Sequence, residues 1–175
     1  MTSHKKNLLV TGGAGFIGSN FINYIHKKYP NYKIQLLDAL TYAGNLENIS
    51  NNLKSNGHFQ FSHGNVTQPD IVNQLVSDSD IVIHFAAESH VTRSIYDNSL
   101  FFETDVIGTQ VLANAIVNHP VERFIHISSS EVYGTAINAP MTEDHPLNPM
   151  SPYAAAKAGA DRLVYSYVHT YGLPA

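Results

Sequence analysis

Cysteine is missing altogether from the 175 residues, and charged side chains are sparse at 14%. Without thiols there can be no disulfide, no thiolate metal site and no cysteine nucleophile, which fits a reducing cytosol. Ten Lys and Arg stand against fourteen Asp and Glu, for a net charge of −4. That balance leaves no electrostatic footprint for nucleic acid or an anionic membrane surface. The one basic cluster, His4-Lys5-Lys6, reads as a short solvated lead-in to a strand, and Met1–Lys6 lacks the apolar core of a signal peptide. No uninterrupted apolar run approaches the roughly 20 residues needed to span a bilayer. Ten histidines occur, yet none has His-x-x-x-His or another close ligand spacing, so no metal is expected. Nor do the tyrosines alternate with basic residues as a stacking platform would require. Internal repeats, low-complexity tracts and interdomain linkers are absent too. What remains, 43% hydrophobic, is the composition of a soluble globular protein, expected in the cytoplasm and with no nucleic-acid or membrane partner.

The apolar residues that are present alternate between short β-branched runs and longer segments of helical period. Strands are predicted at Asn7–Thr11, Lys33–Asp38, Phe59–His63, Asp80–His84 and Arg123–Ser128. Helices are predicted from about Gly15 to Lys28 with Phe16, Ile17, Phe21 and Ile25 inward, through Leu46, Ile49 and Leu53, and over Gln68–Val76. Two longer ones follow, from about Leu100 to Asn118 and from Ser151-Pro152 to Tyr171. Strand and helix alternating in this way predict an α/β fold, a Rossmann-type doubly wound parallel sheet covered on both faces. The final helix closes at Gly172, and Leu173-Pro174-Ala175 resembles the approach to a sixth strand. Doubly wound dinucleotide folds normally have six. The expectation is therefore one NAD-binding domain over 1–175, truncated before its sixth strand and lacking a substrate-binding domain.

The first strand runs into Thr11-Gly12-Gly13-Ala14-Gly15-Phe16-Ile17-Gly18, which opens the first helix. In that context Gly12, Gly15 and Gly18 supply a tight turn, a close backbone approach to a diphosphate and close helix–strand packing. The diphosphate rests on the helix N-terminus, where unpaired N–H groups and the dipole favour an anion. Asp38 ends the second strand twenty residues after Gly18, placed for a ribose 2′-hydroxyl. A carboxylate there repels a 2′-phosphate and no arginine follows it, so the cofactor is read as NAD rather than NADP.

Tyr153 and Lys157 lie four residues apart in Tyr153-Ala154-Ala155-Ala156-Lys157, hence on one face of the last helix. A neighbouring ammonium favours phenolate, which suits the pair to proton transfer. The lysine can also hold the nicotinamide ribose. Ser128-Ser129-Ser130 closes the fifth strand, at the carboxyl edge where such sheets bind ligands.

Carrying these motifs, the sequence resembles the extended short-chain dehydrogenases acting on nucleotide sugars, and among them most the dTDP-glucose 4,6-dehydratases. The matching stretches are VTGGAGFIG (Val10–Gly18), LDALTYAGNLEN (Leu37–Asn48), FAAESHVTRSI (Phe85–Ile95), ISSSEVYG (Ile127–Gly134), SPYAAAK (Ser151–Lys157) and TYGLP (Thr170–Pro174). The first and fifth are shared across the superfamily; LTYAGNLEN and AAESHVxRSI are much narrower. The resemblance implies a nucleotide-sugar substrate and a redox-neutral cycle. Tyr153 takes the 4-hydroxyl proton while C4 gives hydride to NAD, Glu131 removes the C5 proton as water leaves C6, and hydride returns to C6. By the same resemblance Ser129 bonds the 4-oxygen, Ser130 belongs to the catalytic set, and Ser89 and Thr104 lie near cofactor and sugar. Phe16, Ile17, Leu40, Thr41, Gly44, Asn65, Val66, Phe85, Ala86 and Ala87 are implied as further cofactor contacts. A homodimer through the helices at about 100–118 and 151–171 is also implied.

Three segments depart from the family pattern. Ser129-Ser130-Glu131 stands where Thr-Asp-Glu is usual, so the aspartate that acts as general acid is replaced by serine. GDP-mannose dehydratases and UDP-sugar decarboxylases have a comparable Thr-Ser-Glu. Asn65 stands for an adenine-contacting aspartate, and Thr92 for an aspartate in the Ser-His-Val-Asp-Arg-Ser segment. A 4-epimerase, a UDP-glucuronate decarboxylase, a dehydratase of UDP-GlcNAc or another sugar nucleotide, and a non-catalytic NAD sensor are the alternatives. His84 and His126, each inside an apolar strand, read as hydrogen-bonded core or cleft histidines, and His90 as a residue near the site. Asn138–Pro149 reads as a surface loop over it. Family members run to about twice this length, so the chain by itself is expected to bind NAD but to turn over substrate poorly.

Overall fold

A computed structural model describes residues 5–175; the expectation for Met1–His4 lies outside the described residues. Five strands, β1 (Asn7–Thr11), β2 (Lys33–Asp38), β3 (Phe59–His63), β4 (Ile81–His84) and β5 (Arg123–His126), form one parallel sheet in the order β3-β2-β1-β4-β5. The chain winds outward from β1 to β3, then returns to lay β4 against the other side of β1. Ligands bind at such a reversal, outside the carboxyl ends of the strands.

Side chains alternate across the central strand. Leu8 and Val10 point to one face with Ile34, Leu36 and Ile83, while Leu9 joins Leu37 and Val82 on the other. The first face is covered by α1 (Phe16–Lys28) through Ile22 and by α2 (Asn51–Lys54) through Leu53. The second is covered by α3 (Pro69–Ser77), α5 (Ser99–Asn118) and α6 (Pro152–Tyr171), through Val72, Leu112 and Val164. This is the doubly wound Rossmann-type α/β arrangement that the alternating pattern predicts.

Several details differ from the sequence expectation. On α1 the buried positions are Gly18, Ser19, Ile22 and His26, whereas Phe16 and Ile17 are 82% and 63% exposed. The first turn of α1 overhangs the carboxyl edge of the sheet, where there is no layer to bury them against. The polar helix predicted through Leu46–Leu53 is a 3₁₀ turn (Leu46–Asn48) followed by the four-residue α2. A short helix, α4 (Val91–Tyr96), lies where none was predicted. Strand β5 stops at His126, two residues early, because Ser129 caps the 3₁₀ turn Ser130–Tyr133 by accepting the Glu131 N–H. By length and composition α5 is long and apolar enough to cross a bilayer, despite the apparent absence of any such run. Phe101, Leu112 and Ile116 on it are buried, it packs on α3 and α6, and it holds the buried Asp105. Beyond the Gly172 cap, the Pro174 carbonyl accepts the Phe124 N–H at 2.9 Å, so the last residues run alongside β5.

The face of α1 yields a paired prediction. Ile22→Ala should cost about 2–5 kcal/mol, the range for truncating a buried aliphatic side chain, and Phe16→Ala about 0.5 kcal/mol or less. Urea unfolding of the two variants is the measurement; equal costs would contradict the observed helix face.

Candidate active site

At the β1/β4 reversal a groove of about 630 Å³ opens. The glycine turn supplies Gly12, Gly15, Phe16, Ile17 and Gly18; the end of β2 supplies Asp38, Thr41, Tyr42 and Gly44. Gly64, Asn65 and Val66 follow β3, and Phe85, Ala86, Ala87, Glu88, Ser89 and His90 follow β4. Thr104 from α5 and Tyr153 and Lys157 from α6 close the far end.

Backbone contact shapes the turn. Gly12 has φ of +68°, and a Cβ on it would lie 2.4 Å from the Ala86 nitrogen; one on Gly18 would lie 2.5 Å from the Gly12 carbonyl oxygen. Only glycine permits these approaches. Gly15 caps α1 without a side chain, and no acidic residue occupies the first turn, so the helix N-terminus is left to an anion. Asp38 does more than its position after β2 suggested. One carboxylate oxygen accepts the Ala14 N–H at 2.9 Å and the other the Leu40 N–H at 2.8 Å, fastening the glycine turn to β2. Each oxygen keeps a lone pair for a hydroxyl.

At the far end, Ser151 caps α6 by accepting the Ala154 N–H at 3.1 Å, with Pro152 in the first turn. Tyr153 therefore lies in the opening turn, its ring edge-on to Phe101 at 6.2 Å. Lys157, one turn on, is 4% exposed and donates to the Ile127 carbonyl at 2.8 Å. Burial pulls its ammonium down from the ordinary lysine value, and the charges of Asp105 and Asp161 oppose that. Asp105, missed by the sequence reading, is 1% exposed, and burial pushes its carboxyl up to about 7 against the pull of Lys157. Its place in an otherwise apolar helix, with Glu103 as the one other acid, was the signal that could have found it.

Other predicted residues take other places. Leu40 does not line the groove: it packs against the α1-side core from a backbone with φ of +49°. Ser129, Ser130 and Glu131 also lie outside the lining residues, with Ser130 and Glu131 exposed on the 3₁₀ turn that packs against α6. Asn65 lines the groove, but its side-chain oxygen accepts the Thr67 N–H, leaving its NH₂ group for a ligand. Thr92 is exposed and off the groove, and none of residues 138–149 lines it. The narrow AAESHVxRSI motif becomes a cluster: Arg93 stacks on the Tyr42 ring at 3.9 Å and lies 3.9 Å from the buried Glu88, while His90 approaches Tyr42 at 5.5 Å.

The two strand histidines part company. His84 is hydrogen-bonded at both ring nitrogens, to Thr11 at 2.7 Å and Thr109 at 3.1 Å, and burial holds it well below the usual histidine range. His126 has no partner at either nitrogen, contrary to expectation, and burial lowers it to about 4. Among the described residues no His, Asp and Glu cluster suits a metal ion.

Two predictions follow from this geometry. Gly12→Ala should lose at least about 1–3 kcal/mol from the left-handed backbone alone, with further loss from the Ala86 contact, read by urea unfolding. The neutral His126 ring favours unfolding as pH falls from 6.5, where the free ring protonates, to about 4; Asp105, raised from 3.8 to about 7, has the opposite slope over the same window. His126→Leu should therefore make stability rise more on acidification than in the unsubstituted protein, and an unchanged pH dependence would exclude the buried neutral imidazole.

Comparison with known proteins agrees with this fold. The model of the family described as GDP-mannose 4,6 dehydratase matches residues 9–175. The low-salt glycan biosynthesis protein Agl12 of Haloferax volcanii is 47% identical over 168 residues, covering 96% of this chain and 54% of that protein. The dTDP-glucose 4,6-dehydratase of Mycobacterium tuberculosis is 46% identical over 171 residues, covering 96% of this chain and 50% of the enzyme. The crystal structure of DesIV, a dTDP-glucose 4,6-dehydratase from Streptomyces venezuelae with NAD and TYD bound, superposes with a TM-score of 0.89 at 44% identity, over 95% of this chain and 53% of that one. The chain thus spans about half the length of the relatives it matches. With the glycine turn, the Asp38 clasp and the Tyr153–Lys157 pair assembled round one groove, the chain belongs to the GDP-mannose 4,6 dehydratase family.

Proposed function

We propose that the chain is the NAD-binding part of a nucleotide-sugar 4,6-dehydratase that converts an NDP-hexose to the NDP-4-keto-6-deoxyhexose. The observation that carries this reading is that Tyr153 and Lys157 open into the same groove as the glycine turn and Asp38. The residues present fit the dinucleotide: Gly12 and Gly18 let the turn fold tightly on the protein's own backbone, and α1, capped by Gly15 without a side chain, presents its N-terminus to a diphosphate. Asp38 would accept from the adenosine ribose, Asn65 would offer its NH₂ to the adenine, and Lys157 would hold the nicotinamide ribose. NAD supplies the hydride acceptor and, later in the cycle, the donor.

The chain's own groups manage protons. Tyr153 takes the proton of the sugar 4-hydroxyl, and the Lys157 ammonium stabilises the charge developing on the phenol oxygen. Once C4 is a ketone, the hydrogen at C5 is acidic, and Glu131 removes it. The exposed position of Glu131 beside α6 suits a base that meets the substrate from outside the cofactor groove. Ser130 is a poor proton donor, so Glu131 also returns a proton to the departing C6 hydroxyl; C5 regains a proton as C6 is reduced, which balances the one that Tyr153 took from the 4-hydroxyl. Ser129, which caps the Glu131 turn, and Ser89 on the groove wall would bond the sugar oxygens.

A 4-epimerase or uronate decarboxylase is the second reading, and Ser130 is the observation that favours it, since neither reaction expels water. The proposal extends to a homodimer through α5 and α6, supported by exposed Ile107, Val117, Tyr165 and Tyr171 on those helices, and to a cytoplasmic location, supported by the cysteine-free composition.

Incubation of the full-length protein with dTDP-glucose, UDP-glucose or UDP-GlcNAc should give the alkaline absorbance of a 4-keto-6-deoxy product from one of them. Tyr153→Phe should lower kcat by about 10²–10⁴-fold with dinucleotide affinity retained by calorimetry. Epimerised or decarboxylated sugar without that absorbance would reject the dehydratase.

A further inference from the structure

The two narrow motifs, LTYAGNLEN and AAESHVxRSI, meet at the groove through residues that the proposed reaction does not use. The guanidinium carbon of Arg93 stands 3.9 Å from the centre of the Tyr42 ring, and His90 approaches the same ring at 5.5 Å. Tyr42 follows β2, and Arg93 belongs to α4, which follows β4. In the sheet β1 lies between those two strands. The stack of Arg93 on Tyr42 therefore spans the carboxyl end of β1, where the glycine turn begins, and both of its members line the groove.

Both side chains stand on anchored backbone. The Gly44 N–H closes a turn onto the Thr41 carbonyl at 3.1 Å, which puts Tyr42 near its tip, and the Asn45 N–H ties the end of that turn to the Ala14 carbonyl at 3.0 Å. On the other wall Ser94 is fully buried and α4 packs against α6. The contact between the two side chains is looser. Tyr42 is 49% exposed and the Arg93 side chain 47%. The Glu88 carboxylate lies 3.9 Å from Arg93, beyond hydrogen-bond reach, and its facing oxygen is buried with no partner. A guanidinium on an aromatic face at such an exposed site is held weakly, and exposed side chains change rotamer fast.

We propose that Arg93 and Tyr42 form a gate over the dinucleotide groove, closed by their stacking and opened by rotation of these side chains alone. The gate rests on the NAD reading given above. A dinucleotide enters and leaves only while the stack is apart. Because the stack joins two protein side chains, it opens to the same extent on either side of the binding equilibrium. The open fraction then scales association and dissociation alike and cancels from the affinity. Arg93 and Tyr42 thus set how fast the cofactor exchanges rather than how tightly it is held. In a redox-neutral cycle the nicotinamide that takes the hydride must still be present to return it, which slow exit favours.

Stopped-flow fluorescence of NADH with the full-length protein, cleared of bound nucleotide, reads both rate constants, and equilibrium titration reads Kd. Arg93→Ala and Tyr42→Ala should each raise association and dissociation together by about fivefold, while Kd stays the same. The double variant should be no faster than either single one, because both remove the same stack. Tyr42→Phe keeps the ring and should exchange like the unsubstituted protein. Arg93→Lys keeps the charge but loses the flat face, and should exchange faster. Unchanged rates in the alanine variants overturn the gate. A rise in dissociation alone, with Kd weakened to match, also overturns it, since that marks a side chain that grips the ligand. Failure of the unsubstituted protein to bind NADH would reject the NAD reading itself, and the gate with it.

Discussion

The backbone of Gly12 rides directly on that of Ala86, and the groove is arranged around this contact. Its support is a buried chain of hydrogen bonds whose proton order is set by chemistry. The Thr109 hydroxyl donates to the Asp105 carbonyl at 2.5 Å, so its oxygen must accept the Nε2–H of His84. The neutral ring then accepts the Thr11 hydroxyl proton at Nδ1, and the Thr11 oxygen receives the Ala86 N–H at 3.4 Å. A proton added to His84 would leave two donors facing each other at Thr11. Burial keeps that proton off, so the ends of β1 and β4 and the middle of α5 stay in one relation.

The far end of the groove is held by a different balance. Lys157 and Asp105 are both buried there, and burial disfavours the charge of each. Both positions follow from the docking of α6 on α5. Tyr153 inherits its place from that docking. Glu131 takes its place from the turn capped by Ser129, a local device independent of the buried pair.

The fold and the choice of reaction rest on different residues. Parallel winding, glycine turn and Tyr153–Lys157 pair serve any NAD chemistry at a sugar carbon, because all such reactions begin by abstracting a hydroxyl proton. What separates dehydration from epimerisation or decarboxylation is the supply of a proton to a leaving group, and on the proposed reading that supply would come from Glu131 on the exposed Ser130–Tyr133 turn.

Much of this was readable from the linear chain. Alternating apolar periods determine the strands and the doubly wound order, since a strand's face and a helix's stripe are local repeats. The spacing Gly12-x-x-Gly15-x-x-Gly18 and the four-residue interval from Tyr153 to Lys157 determine the glycine turn and the helix face that Tyr153 and Lys157 share, being short-range geometry. Tertiary structure alone decided that Phe16 and Ile17 are exposed, because no layer covers the carboxyl edge of the sheet. It alone decided that Leu40 packs inward, that Asp38 clasps Ala14, and that His84 is bonded while His126 is not. It also buried both Asp105 and Lys157 in the interior where α5 and α6 pack. Which charge meets which in a buried interior depends on how two helices dock, and no periodicity in the sequence records that.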